Sequence, residues 1–91
     1  MRFFSDPNKA RLNLLKHRVS FDEAATVFDD ESAYGWPDSE HPDMEQRMCL
    51  LGVSARGRIL LVCYCYRAFN NIRIYSARKA NAREKTTYLR R

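Results

Sequence analysis

Residues 47–78 read RMCLLGVSARGRILLVCYCYRAFNNIRIYSAR, and the fold is decided in this stretch. Three runs in it, residues 47–53, 58–66 and 71–78, are dense in aliphatic, β-branched and aromatic residues, which fit a pleated and partly buried surface. Residues 54–57 and 67–70 separate them, and connections so short join antiparallel neighbours. Gly57 suits a turn position with positive φ. Alternation in the third run puts Ile72, Ile74 and Ser76 on one face and Arg73, Tyr75 and Ala77 on the other. The stretch therefore predicts a three-stranded meander with one core face and one amphipathic face.

Working outward, Arg2-Phe3-Phe4-Ser5 suits a short edge strand. Asp6-Pro7 places an N-cap acceptor before a first-turn proline, a strong helix start. That helix runs to about His17, with Leu12 and Leu15 forming an apolar stripe that Ala10 and Leu14 widen. Ser20-Phe21-Asp22-Glu23 reads as a capping box, in which the Ser20 hydroxyl accepts from the Glu23 N–H and the Glu23 carboxylate reaches back to the Ser20 N–H. Phe21, Ala24, Ala25 and Phe28 then line one side of a second helix ending near Asp29. Residues 29–45 hold seven acids and no Lys or Arg, and Pro37 and Pro42 interrupt them; a short strand over residues 33–36 followed by a polar loop is expected. Asn81 with Glu84 three residues on opens a last helix to about Tyr88. The order β-α-α-β-β-β-β-α predicts a single α+β domain over residues 1–91, an antiparallel sheet with two N-terminal helices packed on one face and a C-terminal helix.

With 91 residues, 45% hydrophobic and 30% charged, the composition is that of a globular domain, which sets aside disordered, collagen-like and disulfide-scaffold classes. The longest apolar run, residues 59–66, is far short of a membrane span, and no signal peptide is visible, so a cytoplasmic protein without a membrane partner is expected. The net charge of +5 is unevenly spread. Five basic and ten acidic residues in the first half give −5, whereas eleven basic residues against Glu84 alone give +10 in residues 46–91. Such a basic half points to a polyanion, most often nucleic acid. Cys49, Cys63 and Cys65 make an odd count suited to a reducing compartment. Cys63-Tyr64-Cys65 is not a zinc knuckle, and His17 and His41 supply no ligand pair, so buried free thiols and no metal or other cofactor are expected.

The residues also carry a resemblance. Asp6-Pro7 with Lys9, then Lys16-His17, Val19-Ser20-Phe21, Glu23-Ala24 and Val27-Phe28-Asp29 resemble the start of the BrnT family of bacterial type II toxins. Glu45 and Arg47 before a strand ending at Gly52, the turn Ser54-Ala55-Arg56-Gly57-Arg58, and Arg73-Ile74-Tyr75-Ser76-Ala77-Arg78 with Ala80 and Glu84 extend it over nearly the whole chain. Arg18 stands where that pattern usually has Gly, which disfavours a left-handed helix ending there. The resemblance implies a RelE-like fold and a metal-independent endoribonuclease acting as the toxin of a toxin-antitoxin pair. It also implies an RNA substrate, a neutralising BrnA-like antitoxin, and contact with DNA only as the toxin-antitoxin complex at its own promoter.

Cleaving RNA without a metal requires removal of the 2′-OH proton, stabilisation of a phosphorane and a proton for the 5′-oxygen. Arg73 and Arg78, with planar guanidinium forks matched to phosphate oxygens, are the expected phosphate ligands, beside Tyr64 and Tyr66 of the neighbouring strand. Lys16 and His17 at a helix end, and Glu45 as base or orienter, complete the expected catalytic set. The alternative for Lys16 and His17 is simple complementarity to the helix dipole. Arg47, Arg56, Arg58 and Lys79 are expected on the RNA backbone. Tyr64, with Tyr75 or Trp36 as alternatives, is expected to stack on a base, packing being the competing role. Two rival readings remain open from sequence: a non-catalytic nucleic-acid- or antitoxin-binding corepressor, and a small regulatory domain that binds an acidic protein.

Overall fold

Short connections fix the centre of the sheet, and the flanking elements are built onto it. The computed structural model describes residues 1–39 and 46–90. Its elements are β1 (Arg2–Phe4), α1 (Pro7–His17), α2 (Phe21–Thr26) with a 3₁₀ turn Val27–Asp29, β2 (Tyr34–Pro37), β3 (Arg47–Val53), β4 (Ile59–Arg67), β5 (Asn71–Lys79) and α3 (Ala82–Arg90). The five strands lie in the order β1-β5-β4-β3-β2. All neighbours are antiparallel except β1, which joins the edge parallel to β5. The turn between β3 and β4 closes with Gly57 at φ 79°, the backbone conformation in which glycine meets no Cβ penalty.

One face of the sheet packs beneath α1 and α2. Leu60 and Val62 of β4 and Ile72, Ile74 and Ala77 of β5 meet Val19, Phe21, Ala24 and Val27 there. Leu60, Val62 and Ile72 are fully buried, each such side chain contributing roughly 1.5–3 kcal/mol. Gly52 lets the 3₁₀ turn close on β3, since a Cβ there would sit 2.9 Å from Val27 Cγ1 and from the Ala33 Cβ.

Four local expectations are corrected. The leucine stripe of α1 faces water: Leu12, Leu14 and Leu15 are exposed, and the buried residue of α1 is Asn13. Its amide bonds the backbone of Ala77 and the carbonyl of Val19, so α1 docks through hydrogen bonds at the sheet edge. Ser20 Oγ does accept from the Glu23 N–H at 3.0 Å, but the Glu23 carboxylate turns to Arg58 and Ser54. Arg18 adopts the left-handed conformation, φ 58° and ψ 32°, without being glycine.

Strand β5 also departs from strict alternation. The pairing skips a residue: Cys63 lies opposite Ser76 but Tyr64 opposite Ile74, so Tyr75 is a β-bulge. Ala77 rather than Ser76 then joins Ile72 and Ile74 in the core, and Ser76 is exposed. Under strict alternation Arg73 and Arg78, five residues apart, would point to opposite faces. The bulge puts both on the face away from α1 and α2.

Candidate active site

On that second face the strands place side chains in cross-strand rows. Arg47, Cys65 and Arg73 form one row, Cys49, Cys63 and Ser76 the next, and Leu51, Leu61 and Arg78 the third. The helix α3 covers only the third row and the end beyond it: Leu51, Ala80 and Tyr88 cluster with Trp36, Val53, Ile59 and Leu61. Nine helical residues span about 13 Å, whereas the nine residues of β4 run about 30 Å. Among the described residues, α3 therefore does not reach the Arg47 and Arg73 end of the face, where both arginines are half-buried.

Three cations converge there on one ring. The Arg47 guanidinium lies 4.0 Å from the Tyr75 centroid, that of Arg73 5.4 Å, and Lys9 Nζ of α1 5.4 Å. The Tyr75 hydroxyl is 3.3 Å from Cys65 Sγ, which anchors the ring to the sheet. Arg47 Nε is buried and has no hydrogen-bond partner among the described residues. A buried donor without a partner costs free energy.

Arg78 sits farther along, at the foot of α3. Its Nη1 and Nη2 donate to Glu84 Oε1 and Oε2 at 2.8 and 2.9 Å, a bidentate fork. Glu84 also closes a reciprocal capping box, accepting from the Asn81 N–H while Asn81 Oδ1 accepts from its own N–H. The Arg78 guanidinium, then backbone capping, lower the Glu84 pKa against the opposing effect of burial. Between α3, the end of β2 and the sheet lies a cavity of about 360 Å³, lined in part by Trp36, Asp38, Arg47 and Arg78. Cys63 in its floor donates to Asp38 Oδ2 at 3.5 Å. Burial first, then the Asp38 charge and Cys49, push the Cys63 thiol up to about 12, so it stays protonated at neutral pH. None of the three cysteines forms a disulfide, and among the described residues no group of three or more His, Cys, Asp or Glu side chains gathers to hold a metal.

Of the residues singled out from sequence, Arg47 and Arg73 come together at Tyr75, with Arg78 two rows away. Lys16 shares the side of α1 that carries Lys9 and Asn13 by helical spacing, and His17 ends the same helix. Glu45 lies outside the described residues. Tyr64 is on the opposite, helix-covered face, 5% exposed, where its ring packs edge-on against Phe28 and Tyr66; it cannot stack on RNA from there, and Arg73 has Tyr75 and Cys65 as neighbours instead. Burial, then Tyr66, push its hydroxyl up to about 12.

Arg58 is occupied structurally. Its guanidinium ion-pairs with Glu23, which is 6% exposed, and donates to the Arg18 carbonyl at 3.0 Å. Arg56 is 3.6 Å from the same carboxylate but mostly exposed. Both stand at the β3–β4 turn, at the end of the strands away from Arg47 and Arg73. Lys79, exposed, ends β5 on the helix-covered side. Sequence reasoning missed Lys9 and underrated Tyr75, because a strand pattern shows neither the bulge nor which helix stands beside it.

Residues 6–84 match the family described as "Ribonuclease toxin, BrnT, of type II toxin-antitoxin system". Among solved structures, the crystal structure of the Brucella abortus ribonuclease toxin BrnT superposes with a TM-score of 0.70 at 20% identity, covering 89% of this chain and 97% of that one. At that identity the likeness speaks for the fold. No curated protein sequence matches the chain. Among the described residues, no helix is long and apolar enough to cross a membrane.

Proposed function

The chain belongs to the BrnT ribonuclease toxins of type II toxin-antitoxin systems, and from that premise we propose that its open sheet face binds single-stranded RNA and cleaves it without a metal. The observation that carries this reading is the convergence of Lys9, Arg47 and Arg73 on Tyr75, with the buried Nε of Arg47 lacking a partner among the described residues.

The 2′-oxygen forms a bond to phosphorus as the bond from phosphorus to the 5′-oxygen breaks, leaving a 2′,3′-cyclic phosphate and a 5′-hydroxyl. Arg47 and Arg73 hold the non-bridging oxygens, where charge builds in the phosphorane; fixed donors at such a place supply the largest part of many rate enhancements. Lys9 adds positive charge from the helix side. Lys16, His17 and Glu45 are the proposed proton carriers, one taking the 2′-OH proton and another protonating the 5′-oxygen. Arg78 is held by Glu84 and takes a flanking phosphate when that pair opens. A BrnA-like antitoxin neutralises the toxin by covering the basic face, and the pair together binds DNA at its own promoter.

The Arg78–Glu84 fork favours a second reading, a non-catalytic corepressor, because it neutralises one of the expected phosphate ligands. Incubating purified protein with RNA in excess chelator separates the two. Cleavage with cyclic-phosphate ends, blocked by a 2′-deoxy group at the scissile nucleotide, is the expected result. RNA left intact under all conditions, with retained antitoxin binding, establishes the corepressor.

A further inference from the structure

The cavity beside the phosphate site carries a group that phosphate binding does not use. Arg47 lines this cavity and also stacks on Tyr75, so a nucleotide whose phosphate sits at Arg47 places its base, or that of its neighbour, within reach of the cavity. The volume, about 360 Å³, falls within the range of roughly 300–1,000 Å³ common to small-molecule sites. Trp36 lies in one wall, half-buried and tilted against Tyr34 with centroids 5.4 Å apart, which offers an aromatic surface for a base.

In the same cavity stands an acid among arginines. Asp38 is fixed by its backbone, whose N–H donates to the Arg47 carbonyl at 2.9 Å and so extends the pairing of β2 with β3. Its carboxylate reaches over the sheet to Cys63. A carboxylate repels a phosphate, so at its own position it selects a hydrogen-bond donor. Bases differ in what they offer to two parallel acceptors. Guanine presents N1–H and N2–H side by side. Adenine and cytosine set each amino group beside a ring-nitrogen acceptor, and uracil flanks its one N–H with two carbonyls, so each of these turns an acceptor toward the carboxylate.

We propose that the cavity between β2 and α3 is a guanine subsite, in which Asp38 accepts from N1–H and N2–H and Trp36 stacks on the base. This rests on the reading of the adjoining face as an RNA site. Asp38 is here a specificity-determining residue, and it takes no part in proton transfer.

Binding of 2′-O-methyl hexanucleotides, which cannot be cleaved by 2′-OH attack, tests the subsite apart from the chemistry. By fluorescence anisotropy, a hexamer with one central guanine is expected to bind wild-type protein about tenfold or more tightly than its adenine, cytosine or uracil counterparts, as for a bidentate base contact. Replacing that guanine by inosine, which lacks the 2-amino group, is expected to remove most of the preference, and 7-deazaguanine to retain it. Asp38→Asn is expected to abolish the preference, so that the guanine hexamer binds no more tightly than its three counterparts. Equal binding of all four hexamers, or equal binding of guanine and inosine, overturns the proposal with no variant needed. Cleavable RNA separates specificity from catalysis: if Asp38→Asn lowers cleavage at every site alike, the residue acts in catalysis and the proposal fails. Guanine-selective binding by a protein that cleaves no RNA upholds the subsite and overturns the nuclease reading alone.

Discussion

The Asn13 side-chain amide pairs with both backbone groups of Ala77, its Nδ2 donating to the carbonyl at 2.8 Å and its Oδ1 accepting the N–H at 3.1 Å. Strand β1 pairs with β5 only from Asn71 to Arg73, so beyond that point the edge of β5 has no strand beside it among the described residues. One side chain supplies there what a strand would, and Nδ2 also donates to the Val19 carbonyl at 2.9 Å. Because α1 carries Lys9, this pairing also sets where Lys9 stands relative to Tyr75.

Asn13→Ala leaves three buried backbone groups unpaired, and each such loss costs about 1–3 kcal/mol before relaxation. A total loss of about 3 kcal/mol is expected in urea unfolding. Asn13→Asp, isosteric but without the donors, is expected to lose nearly as much.

Arg18→Gly is expected to stabilise the protein. A left-handed residue with a Cβ costs about 1–2 kcal/mol, and glycine returns part of that through the greater freedom of the unfolded chain. A net gain near 0.5–1 kcal/mol corresponds to a rise in Tm of about 2–8 °C for a domain of this size. Thermal unfolding followed by circular dichroism measures it.

Glu23 makes stability fall in acid. Its hydrogen bond to Arg58 first, then Ser54 and the nearby arginine charges, outweigh burial and hold its pKa below 4.5 in the folded state. A carboxylate with a lowered folded pKa contributes stability that is complete above the unfolded value and lost as pH falls through the folded one. Unfolding free energy is therefore expected to decline from about pH 5 downward. Glu84, lowered in the same direction by Arg78, adds to the decline. Glu23→Gln is expected to flatten this pH dependence and to cost about 2 kcal/mol at neutral pH, the charged hydrogen bonds being replaced by weaker ones.

Arg47→Ala and Arg73→Ala are each expected to lower RNA cleavage by about 10²–10³, the scale for removing one fixed donor from a developing charge. Both side chains lie on the open face, so far-UV circular dichroism should be unchanged. Tyr75→Phe keeps the ring under the cations and is expected to retain most activity, whereas Tyr75→Leu is expected to lose it. Wild-type cleavage by the matched, folded arginine variants would remove the phosphate site from this face.

The meander, the helix starts at Asp6-Pro7 and Ser20, the Asn81–Glu84 capping box and the basic character of the second half are local or additive properties, and the sequence by itself determined them. Capping depends on residues three apart, hairpin pairing on short turns, and net charge on a sum. What the tertiary structure decided are the relationships between distant residues. The leucines of α1 satisfy helical periodicity yet face water, because docking is set by Asn13 reaching a strand more than sixty residues away. Glu23 abandons half of its capping box because Arg58 offers a stronger partner. Tyr64 and Tyr75 look interchangeable in the chain, but the core takes one and the open face the other. The bulge at Tyr75 moves Arg78 across the sheet to the face of Arg73, and an inserted residue of this kind is invisible to a period of two. The row of Arg47 and Arg73 lies beyond the reach of α3 because a nine-residue helix is too short to cover the sheet that the sequence specifies.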